Sequence, residues 1–372
     1  MLMGICGCSS SGQGKTPTTV YQFSENGHVG YMDKTGKVVI EPKYFGGTCA
    51  SWNGLVSVED TENSELYTIN LQGMKDPRFQ SGVCVQPSDN DHYAENSGPS
   101  SGFLNSAGKL FAYKFVGYSN ALSINNDGIF TIKTNGRYGL FSEKEGISLV
   151  SQEYQIAGVH SEGLLAVVKG EGSKVMLGFI DKTGKVVIPL TFYEIEMTAA
   201  CEQGLSPTVF DYGNLPLSYR FSEGFAAVGF ISDDGHSNYG YIGKKGITII
   251  KPAFTQARPF SEGYAAAGIG GDVFGKGTKY GFIDKSGHFI VPPQFADAKE
   301  VKDGAAPVKV GNKWGLLNIA SWKTTGKLVC DTTFDLIEHE GELFRLIMLS
   351  GQTTDVQDRW VDAKGNEIRP HK

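Results

Sequence analysis

The chain has 372 residues, with 34 Lys and Arg against 40 Asp and Glu, for a net charge of −6. No run of Lys or Arg appears, so the basic stripe that binding to a nucleic-acid backbone requires is missing, and nucleic acid is excluded as a partner. The 49 glycines are about twice the usual share near 7% and point to a chain dense in tight turns.

The first segment, 1–19, reads as a tail and linker. Met1-Leu2-Met3-Gly4-Ile5-Cys6-Gly7-Cys8 is apolar and small, and Ser9 to Thr16 is polar and flexible. Ile5-Cys6-Gly7-Cys8 resembles a bacterial lipobox, with Cys8 the candidate for lipidation. The basic and most of the apolar part of a signal are missing, so the expectation includes a further upstream stretch that carries them. The alternative is a floppy tail with two incidental cysteines.

From residue 20 to 372 one block recurs. Its first clear copy is Gly30-Tyr31-Met32-Asp33-Lys34-Thr35-Gly36-Lys37-Val38-Val39-Ile40, followed by Pro42 and Tyr44. Weaker copies begin at Leu66 and Gly102, and a better one at Gly139. Gly178 to Ile188 repeats the first copy almost residue for residue. A weak copy at Gly213 precedes strong ones at Gly240, Gly281 and Gly315, and the last is centred on Trp360. The spacing from the leading Gly to the next aromatic is 14 residues for Gly30 to Tyr44, Gly178 to Phe192, Gly240 to Phe254 and Gly281 to Phe295. From Gly315 to Phe334 it is 19, the excess lying around Ser321 to Thr325. A second signal precedes the block: Ser161-Glu162-Gly163, Ser222-Glu223-Gly224 and Ser261-Glu262-Gly263, with degenerate forms at Asn53-Gly54, Asp303-Gly304 and Glu340-Gly341.

Short apolar β-branched and aromatic runs bounded by Gly and Asp argue strand rather than helix. Each unit therefore reads as three short antiparallel strands, and the chain as an all-β tandem array of about ten units. Adjacent apolar residues in Val38-Val39-Ile40 predict a strand covered on both faces. Pro after the third strand is expected to stop pairing there. Units that cannot bury both faces alone must stack. Ten elastic three-stranded units do not suit a propeller of about four to eight four-stranded blades. The expectation is a curved open solenoid, with a closed propeller-like toroid as the alternative. Two stretches break the period, a polar one at 86–101 and a Gly-rich one at 269–278; partner contact and tolerated drift are both open for them.

Lys313-Trp314-Gly315-Leu316-Leu317, with Tyr138, Tyr239 or Tyr280 ahead of Gly in other copies, resembles the WG repeat of bacterial proteins. The resemblance extends from about Tyr21 to Pro370. It implies a β-repeat protein, often exported, and brings no catalytic residues with it.

The chemical motifs resolve into structural ones. Gly12-Gln13-Gly14-Lys15-Thr16 lacks the strand before it and the helix after it that a phosphate loop needs, and Pro17 follows directly. Gly270 to Thr278 carries Gly where a magnesium-binding hydroxyl belongs. Asp33, Asp181 and Asp284 each precede a Lys that would repel a cation, so they read as turn caps. Glu162, Glu223 and Glu262 recur at one place in the unit, whereas a catalytic residue is needed once. Tyr44, Phe192, Phe254 and Phe295 fit packing before a sugar-binding groove. Cys49, Cys84, Cys201 and Cys330 lack zinc-site spacing; buried thiols and, in an exported protein, one or two disulfides are both open.

The expected protein is thus a monomer and not an enzyme, without catalytic, metal or cofactor residues. It is expected at the bacterial cell envelope, on an outer or inner membrane surface, touching the membrane through the lipid at Cys8. It would act as a binding or scaffold module that engages a protein or glycan across an extended surface. The alternative is a carbohydrate-binding receptor or an enzyme with a site on one face of a ring.

Overall fold

The computed structural model describes residues 19–48, 51, 54–61, 67–76, 84–87, 93–97, 102–105, 110–112, 121–124, 129–134, 137–142, 146–149, 154–156, 158, 160–171, 174–193, 219–231, 237–272, 276–349 and 356–369. The fold is all-β. Antiparallel strands form small sheets in chain order, none closed on itself. They divide into nine described units: unit 1 (20–44), unit 2 (46–70), unit 3 (84–112), unit 4 (121–149), unit 5 (155–193), unit 6 (225–254), unit 7 (256–295), unit 8 (297–334) and unit 9 (336–368). The weak copy at Gly213 lies outside the described residues. One helix is present among them, Ile319–Thr325, in the insertion that lengthens unit 8.

Unit 7 shows the plan. Its strands are Gln256–Ala257, Tyr264–Ile269, Lys279–Asp284 and Phe289–Phe295, each paired with the next. The unit thus has four strands where the sequence reading gives three. The additional leading strand makes two pairs, Gln256 with Gly268 and Ala257 with Ala267, and is too short to show a period. In unit 6 Tyr193 takes its place, pairing with Gly229, which joins units 5 and 6 into one seven-stranded sheet.

The expectation that proline ends pairing is corrected. Tyr239 pairs with Phe254 and Tyr241 with Ile250, so Gly240 alone faces the three residues 251–253. Pro252 lies in that bulge, where no ladder bond is needed, and pairing resumes at the aromatic. The bulge also explains the leading Gly: a Cβ on Gly240 would lie 2.7 Å from the Ile250 carbonyl oxygen, and one on Gly281 2.3 Å from that of Val291. The fixed 14-residue spacing is the length of this arch.

The second and third strands form the core. Ala265, Ala266 and Ala267 pack beside Tyr280, Phe282 and Ile283, all buried. Their outer faces are covered by the neighbouring unit, as where Tyr241 of unit 6 meets Phe260 of unit 7, ring to ring at 4.9 Å. The fourth strand is different. Val39, Val187 and Ile249 are exposed while Ile40, Ile188 and Ile250 are buried. Adjacent apolar residues therefore do not mean a strand covered on both faces: one residue of each pair is exposed and the next is buried. The stretch 86–101, read as an insert, includes the strand Tyr93–Ser97.

The first and last units touch. The Trp360 indole N–H donates to the Gln22 carbonyl at 2.6 Å, and the Glu342 backbone N–H donates to the Tyr21 hydroxyl oxygen at 3.0 Å. Tyr21, Phe23, Met32, Leu343 and Trp360 form one buried cluster.

Candidate functional site

Two sets of turns at one end of the strands carry charged residues that recur from unit to unit. The first set is the Ser-Glu-Gly turn before each second strand. In unit 6 the Ser222 N–H donates to the Phe225 carbonyl at 2.9 Å and the Phe225 N–H returns to Ser222 at 3.0 Å. Glu223 and Gly224 between them have φ of 54° and 85°, as in the two-residue turns that suit a twisted hairpin. Glutamate is an uncommon residue for that conformation. Its side chain supplies the reason for its presence.

Each glutamate reaches the next unit. The Glu162 carboxylate accepts from the Gly224 N–H at 3.2 Å, Glu223 from Gly263 at 3.0 Å, and Glu262 from both Asp303 and Gly304 at 2.7 Å. The serine beside it also crosses: the Ser161 hydroxyl donates to the Phe221 carbonyl at 2.7 Å, Ser222 to Phe260 at 2.6 Å and Ser261 to Val301 at 2.6 Å. A lysine from the second set of turns closes the contact, Lys244 with Glu162 at 3.0 Å and Lys285 with Glu223 at 3.1 Å. Lys34 of unit 1 pairs in the same way with Glu342 of unit 9 at 2.6 Å. Sequence reading had placed the glutamates as structural but missed their lysine partners, although Lys follows the capping Asp in several copies.

The second set is the Asp-Lys-x-Gly turn. One Asp284 carboxylate oxygen accepts from the Ser286 hydroxyl at 2.5 Å, the Ser286 N–H at 2.9 Å and the His288 N–H at 3.1 Å. Asp181 binds Thr183 and Lys185, and Asp33 binds Thr35 and Lys37, in the same pattern. The bond from the neighbouring hydroxyl, followed by the backbone bonds, holds Asp181 and Asp284 below the ordinary carboxylate value. For Asp33 partial burial works in the opposite direction and is outweighed by the same bonds. These carboxylates serve as turn caps, as their position in the sequence predicts.

The aromatic positions are packing residues: Tyr44, Phe254 and Phe295 are buried, and Phe192 is half-buried against Phe230. Cys330 carries a free thiol, pushed up to about 11 by burial and by Asp331. Cys8, Cys49 and Cys201 lie outside the described residues, and the side chain of Cys84 is not described. Among the described residues no group of three or more His, Cys, Asp or Glu is placed to hold a metal ion, and no helix is long and apolar enough to cross a membrane.

The repeating Gly arch and its flanking turns match the family model of the WG containing repeat at residues 30–44, 178–199, 239–271 and 280–314. These four stretches are WG containing repeats. No curated protein matches it in sequence. Among solved structures the chain is similar to apo AztD from Citrobacter koseri, at 11% identity over 95% of this chain and 94% of that one, with a TM-score of 0.40. It is also similar to dipeptidyl peptidase 4 of Porphyromonas gingivalis, at 8% identity over 92% of this chain and 62% of that one, with a TM-score of 0.49. A third similar structure is a putative TolB from Agrobacterium tumefaciens, at 10% identity over 70% and 83%, with a TM-score of 0.29.

Proposed function

We propose that the chain is a non-enzymatic binding or scaffold module of the bacterial cell envelope, tethered by a lipid on Cys8, which presents its turn-lined face to a protein or glycan. The observation that carries this reading is the ladder of turns. Its carboxylates recur unit by unit and are committed to backbone N–H groups and lysines, so they build a surface and leave no single unit distinguished as a reaction centre. Extended surfaces of this kind are what repeat arrays offer partners. The test uses the soluble chain from Thr18 onward on a glycan array and against envelope extract, beside a panel of model esters, peptides and glycosides. Saturable retention of one ligand without turnover is expected. Turnover above the blank would favour the receptor or enzyme reading instead.

We propose in addition that the array closes into a ring. Units 9 and 1 are joined by a lysine–glutamate pair between the same two turns as successive units: Lys34 with Glu342 stands beside Lys244 with Glu162 and Lys285 with Glu223, although Glu342 follows its turn glycine and Glu162 and Glu223 precede theirs. Trp360 occupies the place of Tyr241, whose hydroxyl donates to Arg258 of the following unit, and donates in turn to unit 1. Open-ended repeat arrays need polar caps at both ends, whereas here the terminal faces bury Tyr21 and Trp360 against each other, ring to ring at 5.0 Å.

A further inference from the structure

The outer strands of units 5 and 6 carry a surface that the ladder does not use. Val186 and Val187 on one strand, and Ile247 and Ile249 at and beside the other, are among the exposed large hydrophobic residues, with Ile247 at 65% and Ile249 at 51%. The two strands are continuous in space, because the unit 6 turn lies on the unit 5 strand. A Cβ on Gly246 would sit 3.1 Å from the Ile188 side chain. Residues 182–193 and 243–255 contain five lysines (Lys182, Lys185, Lys244, Lys245 and Lys251) and neither Asp nor Glu. In a chain of net charge −6 this is a local reversal of sign. Lys244 is engaged by Glu162, and Lys185, Lys245 and Lys251 are exposed.

We infer that this belt is a docking surface for an anionic lipid bilayer, with Val186, Val187, Ile247 and Ile249 entering the headgroup region and Lys185, Lys245 and Lys251 meeting lipid phosphates. Exposed aliphatic side chains interleaved with lysine, on two strands that carry no Asp or Glu, are what an anionic interface selects. An added strand from an acidic partner fits less well. Pro189 and Pro252 each remove a backbone donor part-way along these strands, and the bulge at 251–253 interrupts the unit 6 edge. A fluid lipid surface needs no strand register.

The test uses the full chain with Cys8→Ala, so that no lipid anchor contributes. It is sedimented with vesicles of phosphatidylcholine alone or with about 30% phosphatidylglycerol, at about 0.1 M salt, where charges are screened beyond about 10 Å. Binding to the anionic vesicles alone is expected, with loss in high salt. Lys245→Gln with Lys251→Gln should weaken partitioning by roughly 30-fold, at about five-fold for each lysine near the surface. Ile247→Ser with Ile249→Ser should weaken it too, and both exposed pairs should keep the β circular dichroism of the parent. Absence of binding to anionic vesicles overturns the inference. So does binding that both variants leave unchanged, or capture of an acidic extended peptide in place of vesicles. Ligand retention by the turn-lined face is read separately with Lys251→Gln and Ile249→Ser, which lie on the strand outside the turns, and should survive both.

Discussion

Single carboxylates do two different jobs here, and each has its own signature. Asp284 caps a turn with three bonds from within its own unit. Asp284→Ala should cost about 1 kcal/mol, the usual size of a lost cap, read as a fall in the denaturation midpoint. Glu223 reaches another unit instead and does so from a left-handed backbone. Glu223→Ala loses the bond, about 1–2 kcal/mol by the ordinary cost of a bond to a charged group, and keeps the strained φ. Glu223→Gly loses the same bond but relieves the strain, so it should be the milder change in urea unfolding. Equal losses would contradict the strain assigned to the left-handed backbone at Glu223.

The pH dependence follows from the caps. Asp181 and Asp284 are held below the ordinary carboxylate value in the folded chain, so the folded state favours their charged form. Their contribution is fully present above the unfolded value and is lost as pH falls through the folded one. Thermal stability should therefore be level through neutral pH and decline below about pH 4, where free carboxylates take up protons. Removing the Asp181 and Asp284 side chains together should make that decline shallower.

At the scale of the element, the arch between third and fourth strands is the feature most strictly encoded. Gly281→Ala forces a Cβ to 2.3 Å from the Val291 carbonyl, a backbone contact that no side-chain rotation relieves. It should cost about 3 kcal/mol or more, within the range for overpacked core positions. Pro252→Ala, in the looped-out stretch, should cost under about 1 kcal/mol, because only unfolded-state entropy changes. The arch was legible as a 14-residue spacing and its proline as a breaker. That the chain resumes pairing after the breaker was not legible, since Phe254 closes the arch on a residue of the preceding strand. The leading strand escaped reading for a similar reason, because two residues such as Gln256 and Ala257 carry no period. The one-sided cover of the fourth strand was misread because Val38-Val39-Ile40 looks the same whether one face is covered or two.

The whole molecule depends on how the units meet, and that is where a sequence is weakest. The all-β class and the structural role of the Ser-Glu-Gly turns follow from local patterns. The meeting of unit 9 with unit 1 depends on the angle accumulated over every interface, and no single copy encodes it. Trp360 is the residue that most exposes the difference. It is buried against Tyr21 and bonded to Gln22, so Trp360→Ala should cost about 3–5 kcal/mol, as for other buried aromatic deletions. It should also loosen both ends of the chain in hydrogen exchange. In an open array the loss would stay within the last unit.

Closure is tested most directly by joining the two ends chemically. Lys34 and Glu342, paired at 2.6 Å, are replaced as Lys34→Cys and Glu342→Cys in a chain whose other cysteines are Ala, and a short bifunctional thiol reagent is added. The ring predicts rapid intramolecular cross-linking at any dilution, and a cross-linked product that unfolds at higher denaturant than its uncross-linked parent. Cross-linking that appears only between molecules, rising with protein concentration, would contradict it and return the array to an open solenoid.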